Sequence, residues 1–244
     1  MIGSWLAPIL VSPFVGSFLG VVIYRLPLKR SVALDRSECE SCRRPLGAQD
    51  LVPLVSYAML RGQCRNCQAP IRRFHVHVEM AAMSVAIWAV LAAVDPSRVW
   101  IDCALGWILL TLAWIDWDHM LLPDVLTLPL VVLGLIVTAS IDPMEIADHA
   151  AAAVLGYLTV RALAFAYRRL RGREGIGLGD AKLLAAGGAW VGLEALPWVL
   201  LVGALIGVAI LVPRELRSRT LSVTSAVPFG PGFCLALWLV WIYR

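Results

Sequence analysis

Long apolar runs broken by short charged connectors dominate the chain, and their lengths are those of membrane spans rather than of core helices. The first run, Trp5 to Leu26, is long enough to cross about 30 Å of hydrocarbon, and no small-residue cleavage site follows it, so it is expected to persist as a helix. Further runs cover Val78 to Val94, Ile101 to Ile115, Val125 to Ile141, Ala150 to Tyr167, Ala181 to Leu193, Leu196 to Val212 and Val227 to Tyr243. The pattern predicts an all-α polytopic membrane protein of about eight transmembrane helices, or seven if the run after Asp180 is broken or only partly spanning. Gly187 and Gly188 are the expected break in that run.

Composition agrees with the pattern: 60% of the 244 residues are apolar and 16% charged, more apolar surface than one soluble core can bury. Charge then orients the spans. The connector between Pro27 and Phe74 carries nine lysines and arginines, and the later basic residues Arg168, Arg169, Arg171, Arg173, Lys182, Arg214, Arg217 and Arg219 fall on the same side of an eight-span arrangement. The other side receives the acidic connectors Asp95 to Trp100 and Asp142 to His149. By the positive-inside rule the basic connectors are cytoplasmic and both chain ends face outward. The net charge of +4 is accounted for by topology and by anionic lipid headgroups, so no nucleic-acid partner is expected.

Against this background two acids stand out, Asp116 in IDWDHMLLPD and Asp180 in GIGLGDAK. A carboxylate at a membrane edge is costly to keep there and marks a functional site by default. Both are expected at the cytoplasmic edge, one ending the third span and one opening the sixth. Two carboxylates held a few ångströms apart cannot both ionise easily and share a proton, an arrangement that activates water and polarises a carbonyl without a metal. The bland alternative makes Asp116, Asp118 and Asp124 interfacial acids and Asp180 a helix N-cap. Against it, Gly175, Gly177 and Gly179 alternate with Ile176 and Leu178, giving a bare backbone able to take positive φ beside which an extended substrate strand fits. Pro123 predicts a helix break before Asp124, which is placed to cap the fourth helix. No GxSxG, HExxH or Walker-type element competes with this reading.

The first basic connector holds Cys39-Glu-Ser-Cys42 and Cys64-Arg-Asn-Cys67, two CxxC knuckles 21 residues apart. Four thiols at this spacing fit a closed, structural zinc site, the alternatives being disulfides or free thiols. A cytosolic position disfavours disulfides. Cys103 and Cys234 lie in apolar spans as packing residues, and His75 and His77, two residues apart, are expected to be surface histidines rather than metal ligands. The chain accordingly divides into a first transmembrane helix (1–27), a cytoplasmic zinc-knuckle insert (28–77) and a membrane aspartyl peptidase domain (78–244).

Taken together, GSFLGVVIYRLP at Gly16 to Pro27, the paired knuckles, PLVSY at Pro53 to Tyr57, the two aspartate motifs and PFGP at Pro228 to Pro231 resemble the type IV prepilin peptidases, GxGD membrane proteases, over nearly the whole chain. The resemblance implies a bifunctional enzyme that cleaves leader peptides of type IV prepilins or type II secretion pseudopilins and N-methylates the new amino terminus with S-adenosylmethionine. It implies Asp116 and Asp180 as the catalytic pair, Asp118 and Asp124 as accompanying acids, and a bacterial inner-membrane location. Departures lie at Gly20, Gln63 and Phe74-His75-Val76, regions tied to methyl transfer, whereas Gly62 and Glu79 match. A peptidase that has lost methyl transfer therefore stands as the alternative. A carboxylate-based transporter would need acids at mid-membrane and an internal repeat. A zinc-knuckle scaffold leaves the glycines before Asp180 unexplained, and a presenilin-like or signal-peptide peptidase would not require the zinc insert.

Overall fold

The computed structural model describes residues 2–33, 35–93, 95–96, 98–172, 177–218 and 228–244, and every regular element among them is helical. The elements are α1 (Ile2–Arg25), α2 (Val55–Met59), α3 (Arg73–Ala92), α4 (Val99–His119), α5 (Asp124–Ile141), α6 (Ile146–Arg171), α7 (Leu178–Ser218) and α8 (Gly230–Tyr243). Six of them are long and apolar enough to cross a membrane, and α8 is a shorter apolar helix. The chain forms two compact units, Met1–Thr111 and Leu112–Arg244, divided within α4.

In the first unit α1 and α3 pack through Gly16, where a Cβ would lie 2.6 Å from the Glu79 Cα. The insert is tied to the end of α1 by Arg25, whose guanidinium donates to the carbonyls of Ser31, Asp35 and Arg36 at 3.2, 2.8 and 3.3 Å. Within it the two knuckles are near copies, each position of the second offset by 25 from the first. Glu38 bridges Pro45 as Gln63 bridges Pro70, and Arg43 and Gln68 both take φ 57° at the turn. In each, the first cysteine's amide donates across the turn, Cys39 to Arg44 O and Cys64 to Ala69 O, both at 2.9 Å. The backbone geometry is thus set twice over by the same spacing.

In the second unit the 41-residue α7 is two helices. Gly192, at φ 72° and ψ −179°, breaks it, a conformation only glycine takes readily. A Cβ on Gly187 would touch Val199 Cγ1 at 3.7 Å. Twelve residues along one straight helix would separate them by about 18 Å, so the chain doubles back at Gly192 into an antiparallel hairpin. This matches the expected sixth and seventh spans but moves the break. Gly187 and Gly188 are helical and buried; a Cβ at Gly188 would lie 2.4 Å from the carbonyl of Ala152 on α6. Gly188 serves close packing of α7 on α6, and Asp148 of α6 caps the second half of the hairpin by accepting from the Leu193 amide at 2.8 Å. Trp190 seals the same end, donating to Leu130 O at 2.9 Å and packing edge-on against Trp241.

Candidate functional site

Asp116 lies in the last turn of α4, which runs one turn past the expected end of the third span. It is 5% exposed, and its Oδ2 accepts a hydrogen bond from the Gly230 amide at 2.9 Å. That amide opens α8, so the carboxylate sits against the N-terminus of a helix whose partial positive charge favours an anion. A Cβ on Gly230 would stand 2.5 Å from the same oxygen, which leaves glycine as the residue that fits. PFGP lies at the start of the expected last run, but its contact with an acid 114 positions away had no local signal in the sequence.

Asp180 lies in the first turn of α7, two residues inside it, and so is not an N-cap. Its Oδ2 faces Gly177, 3.5 Å from where a Cβ would be. The Asp116 and Asp180 carboxyls lie near enough to interact electrostatically, and both act on the thiol of buried Cys234. The two sequence-singled acids are therefore brought together.

The neighbouring glycines have a different basis from the one expected. Neither Gly177 nor Gly179 takes positive φ. A Cβ at Gly179 would lie 2.8 Å from Leu122 Cβ, so this chain's own linker between α4 and α5 fills the space read as room for a substrate strand. Gly175 and Ile176 lie outside the described residues. Asp118 and His119 are exposed. Asp124 is the first residue of α5 with Pro123 in the cap position, and it makes no cap bond; its carboxylate instead accepts from Lys182, one turn into α7. That ion pair, missed in the sequence, ties the α4–α5 linker to the start of α7.

In the insert the four sulfurs of Cys39, Cys42, Cys64 and Cys67 lie within 4.8 Å of one another, a set able to hold a metal ion. Cys39 and Cys67 Sγ are 3.8 Å apart, too far for a disulfide and close to the edge of a tetrahedron of thiolates about 2.3 Å from a central zinc. Backbone N–H groups of Cys42 and Ser41 hold the Cys39 thiol below its ordinary value, and that of Arg44 does the same for Cys42. Cys67 is pushed up to about 11: the Ala69 amide favours its thiolate, but desolvation and the adjoining thiols outweigh it. Cys39 and Cys42 are thus biased toward the thiolate form that binds a cation. Arg44 donates to the Asn66 side chain, joining the knuckles, and Arg65 pairs with Asp50 at 2.8 Å, holding that carboxyl below the usual carboxylate range.

The same unit contains a cavity of about 990 Å³ lined by Ser17, Tyr24, Tyr57, Arg72, His75 and Glu79 among others. Glu79 is 5% exposed and accepts from the Leu54 amide at 2.8 Å, which joins PLVSY to α3. Gly62 takes φ 71° with a Cβ position 2.8 Å from Tyr57 Oη, so both backbone and space require glycine. His75 is half-buried against Phe74 rather than a surface histidine, and His77 is exposed. Cys103 and Cys234 are buried packing residues as expected.

Two family models match the chain: the bacterial peptidase A24 N-terminal domain over residues 10–93 and the type IV leader peptidase family over residues 103–212. Curated relatives named prepilin leader peptidase/N-methyltransferase cover it nearly end to end. The one from Aeromonas hydrophila is 38% identical over 96% of this chain and 89% of its own length. That from Pseudomonas aeruginosa is 35% identical over 98% and 90%, and that from Burkholderia pseudomallei (strain 1026b) 37% identical over 89% and 78%. No solved structure matches. With its acids paired at the ends of membrane helices and its relatives aligned across both units, the chain belongs to the type IV leader peptidase family.

Proposed function

We propose that the chain is a membrane aspartyl endopeptidase that removes the leader from type IV prepilins or type II secretion pseudopilins at the cytoplasmic face of the bacterial inner membrane. The observation that carries this is the buried Asp116 carboxylate, fixed by the Gly230 amide and coupled to Asp180. The amide keeps one Asp116 oxygen as an acceptor. The pair shares one proton, so the ionised member takes a proton from water while the protonated one donates to the scissile carbonyl. The water oxygen adds to the carbonyl carbon; the proton taken from water then passes to the nitrogen as the C–N bond breaks, and the hydroxyl formed on the carbonyl oxygen returns its proton to the other carboxylate. Lys182 neutralises Asp124 and holds the linker beside the pair, and exposed Asp118 is available to a basic leader. A prepilin joins a short cytosolic leader to an apolar helix, so its scissile bond lies at the depth that the basic connectors assign to the pair.

The relatives' second named activity directs attention to the first unit, and we assign N-methylation of the new amino terminus to it. A cavity of about 990 Å³ with a buried carboxylate suits a nucleoside thioether bearing a sulfonium charge. When bound there, S-adenosylmethionine supplies the methyl group. Glu79 would face its cation or the incoming amine, and Gly62 shapes the turn beneath. The four cysteines hold zinc as a structural staple for the 28–77 insert, with no position left open for catalysis.

The test is co-expression with a candidate prepilin, read by the intact mass of the mature amino terminus. Asp116→Asn and Asp180→Asn should each lower cleavage by at least about two orders of magnitude while the protein remains in the membrane. Normal processing by either variant overturns the assignment.

A further inference from the structure

At the far end of the α7 hairpin from Asp180 lies a second polar cluster that leader cleavage does not use. Glu145 immediately precedes α6, and Asp148 and His149 occupy its first turn, so all three share one face. His149 is 6% exposed. Its Nδ1 lies 3.0 Å from Ala189 O and 3.0 Å from Thr138 Oγ1. A carbonyl oxygen only accepts, so Nδ1 carries the ring proton, and in the neutral ring Nε2 is left as a bare lone pair. Among the described residues Nε2 has no hydrogen-bond partner; it points toward Gly192 and Asp148, 3.0 Å from where a Gly192 Cβ would be. One ligand atom from each of Glu145, Asp148 and His149 lies within 4.8 Å of the others.

Three acceptors thus converge, and the one donor that meets them is the Leu193 amide, on Asp148 Oδ2. A histidine whose second nitrogen is fixed by a backbone carbonyl is the usual arrangement behind a metal-binding imidazole. We propose that Glu145, Asp148 and His149 form a divalent-cation site of one imidazole and two carboxylates, completed by water, on the opposite side of the second unit from the aspartate pair. Asp148 also caps Leu193, and His149 also holds Ala189, so an ion seated there fastens α6 to the turn at Gly192. Imidazole with carboxylates suits Mn²⁺ or Zn²⁺, whereas the four thiols of the insert select soft ions, which makes Mn²⁺ the discriminating probe.

The experiment titrates the purified full-length chain in nanodiscs with Mn²⁺, following free ion by electron paramagnetic resonance, beside Glu145→Gln and His149→Gln. Glu145 is exposed, so its substitution leaves the fold intact, and prepilin cleavage by that variant confirms it. One Mn²⁺ per wild-type chain is expected, with affinity at least about tenfold weaker in each variant. Amide exchange at Leu193 should slow on Mn²⁺ addition in the wild type alone. No bound Mn²⁺ in the wild type overturns the site. Unchanged affinity in Glu145→Gln overturns it equally.

Discussion

The two units solve the problem of holding a carboxylate in different ways. In the second unit Asp116 and Asp180 stand on helix ends whose positions follow from close packing, with Gly230 against Asp116 and Gly188 against Ala152. In the first unit Glu79 also sits on a helix, but its partner is the Leu54 amide from a connector, and that connector belongs to an insert shaped by two cysteine knuckles. One site rests on packed helices, the other on loops that a metal ion can gather. Departures from the family pattern fall in the loop-built unit. Gly20 and His75, far apart in sequence, meet there, a Gly20 Cβ position lying 3.3 Å from His75 Nδ1, and the half-buried histidine lines the cavity. The packed unit keeps its motifs, which is what independent supports for two activities would allow.

The sharpest test of that independence supplies Asp180→Asn with a substrate whose leader has already been removed. Cleavage of the full precursor should fall about 10²- to 10⁴-fold, and methylation of the pre-cleaved amino terminus should stay at the wild-type rate; joint loss would merge the two units into one site. Conversely, Glu79→Gln should lower methyl transfer about 10- to 100-fold with cleavage intact, since it removes the charge that faces a sulfonium or ammonium group. Intact-mass spectra of the product, which separate methylated from unmethylated termini, decide it. An unmethylated wild-type product would instead mean that the changes at Gly20, Gln63 and Phe74 to Val76 have ended the second activity.

Smaller and less selective effects come from the supports themselves. Cys39→Ser or Cys64→Ser should release the insert, because metal-binding free energy is folding free energy for such a loop. Methyl transfer drops with it, while cleavage keeps a substantial part of its rate in protein that accumulates normally. Zinc content by mass spectrometry and the two product masses from one preparation provide the check. Smallest of all, Asp124→Asn and Asp118→Asn should slow cleavage only a few-fold, because exposed ion pairs contribute little. An effect of Asp124→Asn as large as that of Asp180→Asn would move Asp124 into the reacting pair.

The legible parts of the molecule were those in which a residue type has one physical use. Paired CxxC knuckles, membrane-length apolar runs and acids at their ends gave the helices, the thiol cluster and the two aspartates directly. Glycine has several uses, and there the sequence reading went astray. Gly187 and Gly188 read as a break but are helical, Gly188 serving close packing; Gly192 makes the turn, and Gly179 yields its space to Leu122 rather than to a substrate. Contacts between distant segments, Gly230 with Asp116 and Lys182 with Asp124, left no periodic trace because each joins elements by tertiary packing alone.

The turn at Gly192 also bears on the lipid around the enzyme. Only about fourteen residues separate the start of α7 from that glycine, roughly 21 Å of helix, against a hydrocarbon layer of about 30 Å. A half-helix this short creates hydrophobic mismatch: either Asp180 is recessed below the headgroups or the bilayer thins locally to meet it. In the first case the carboxylates lie below the surface and in the second the surface comes down to them; beside a substrate helix of ordinary length, bilayer thickness becomes a variable of the reaction in either.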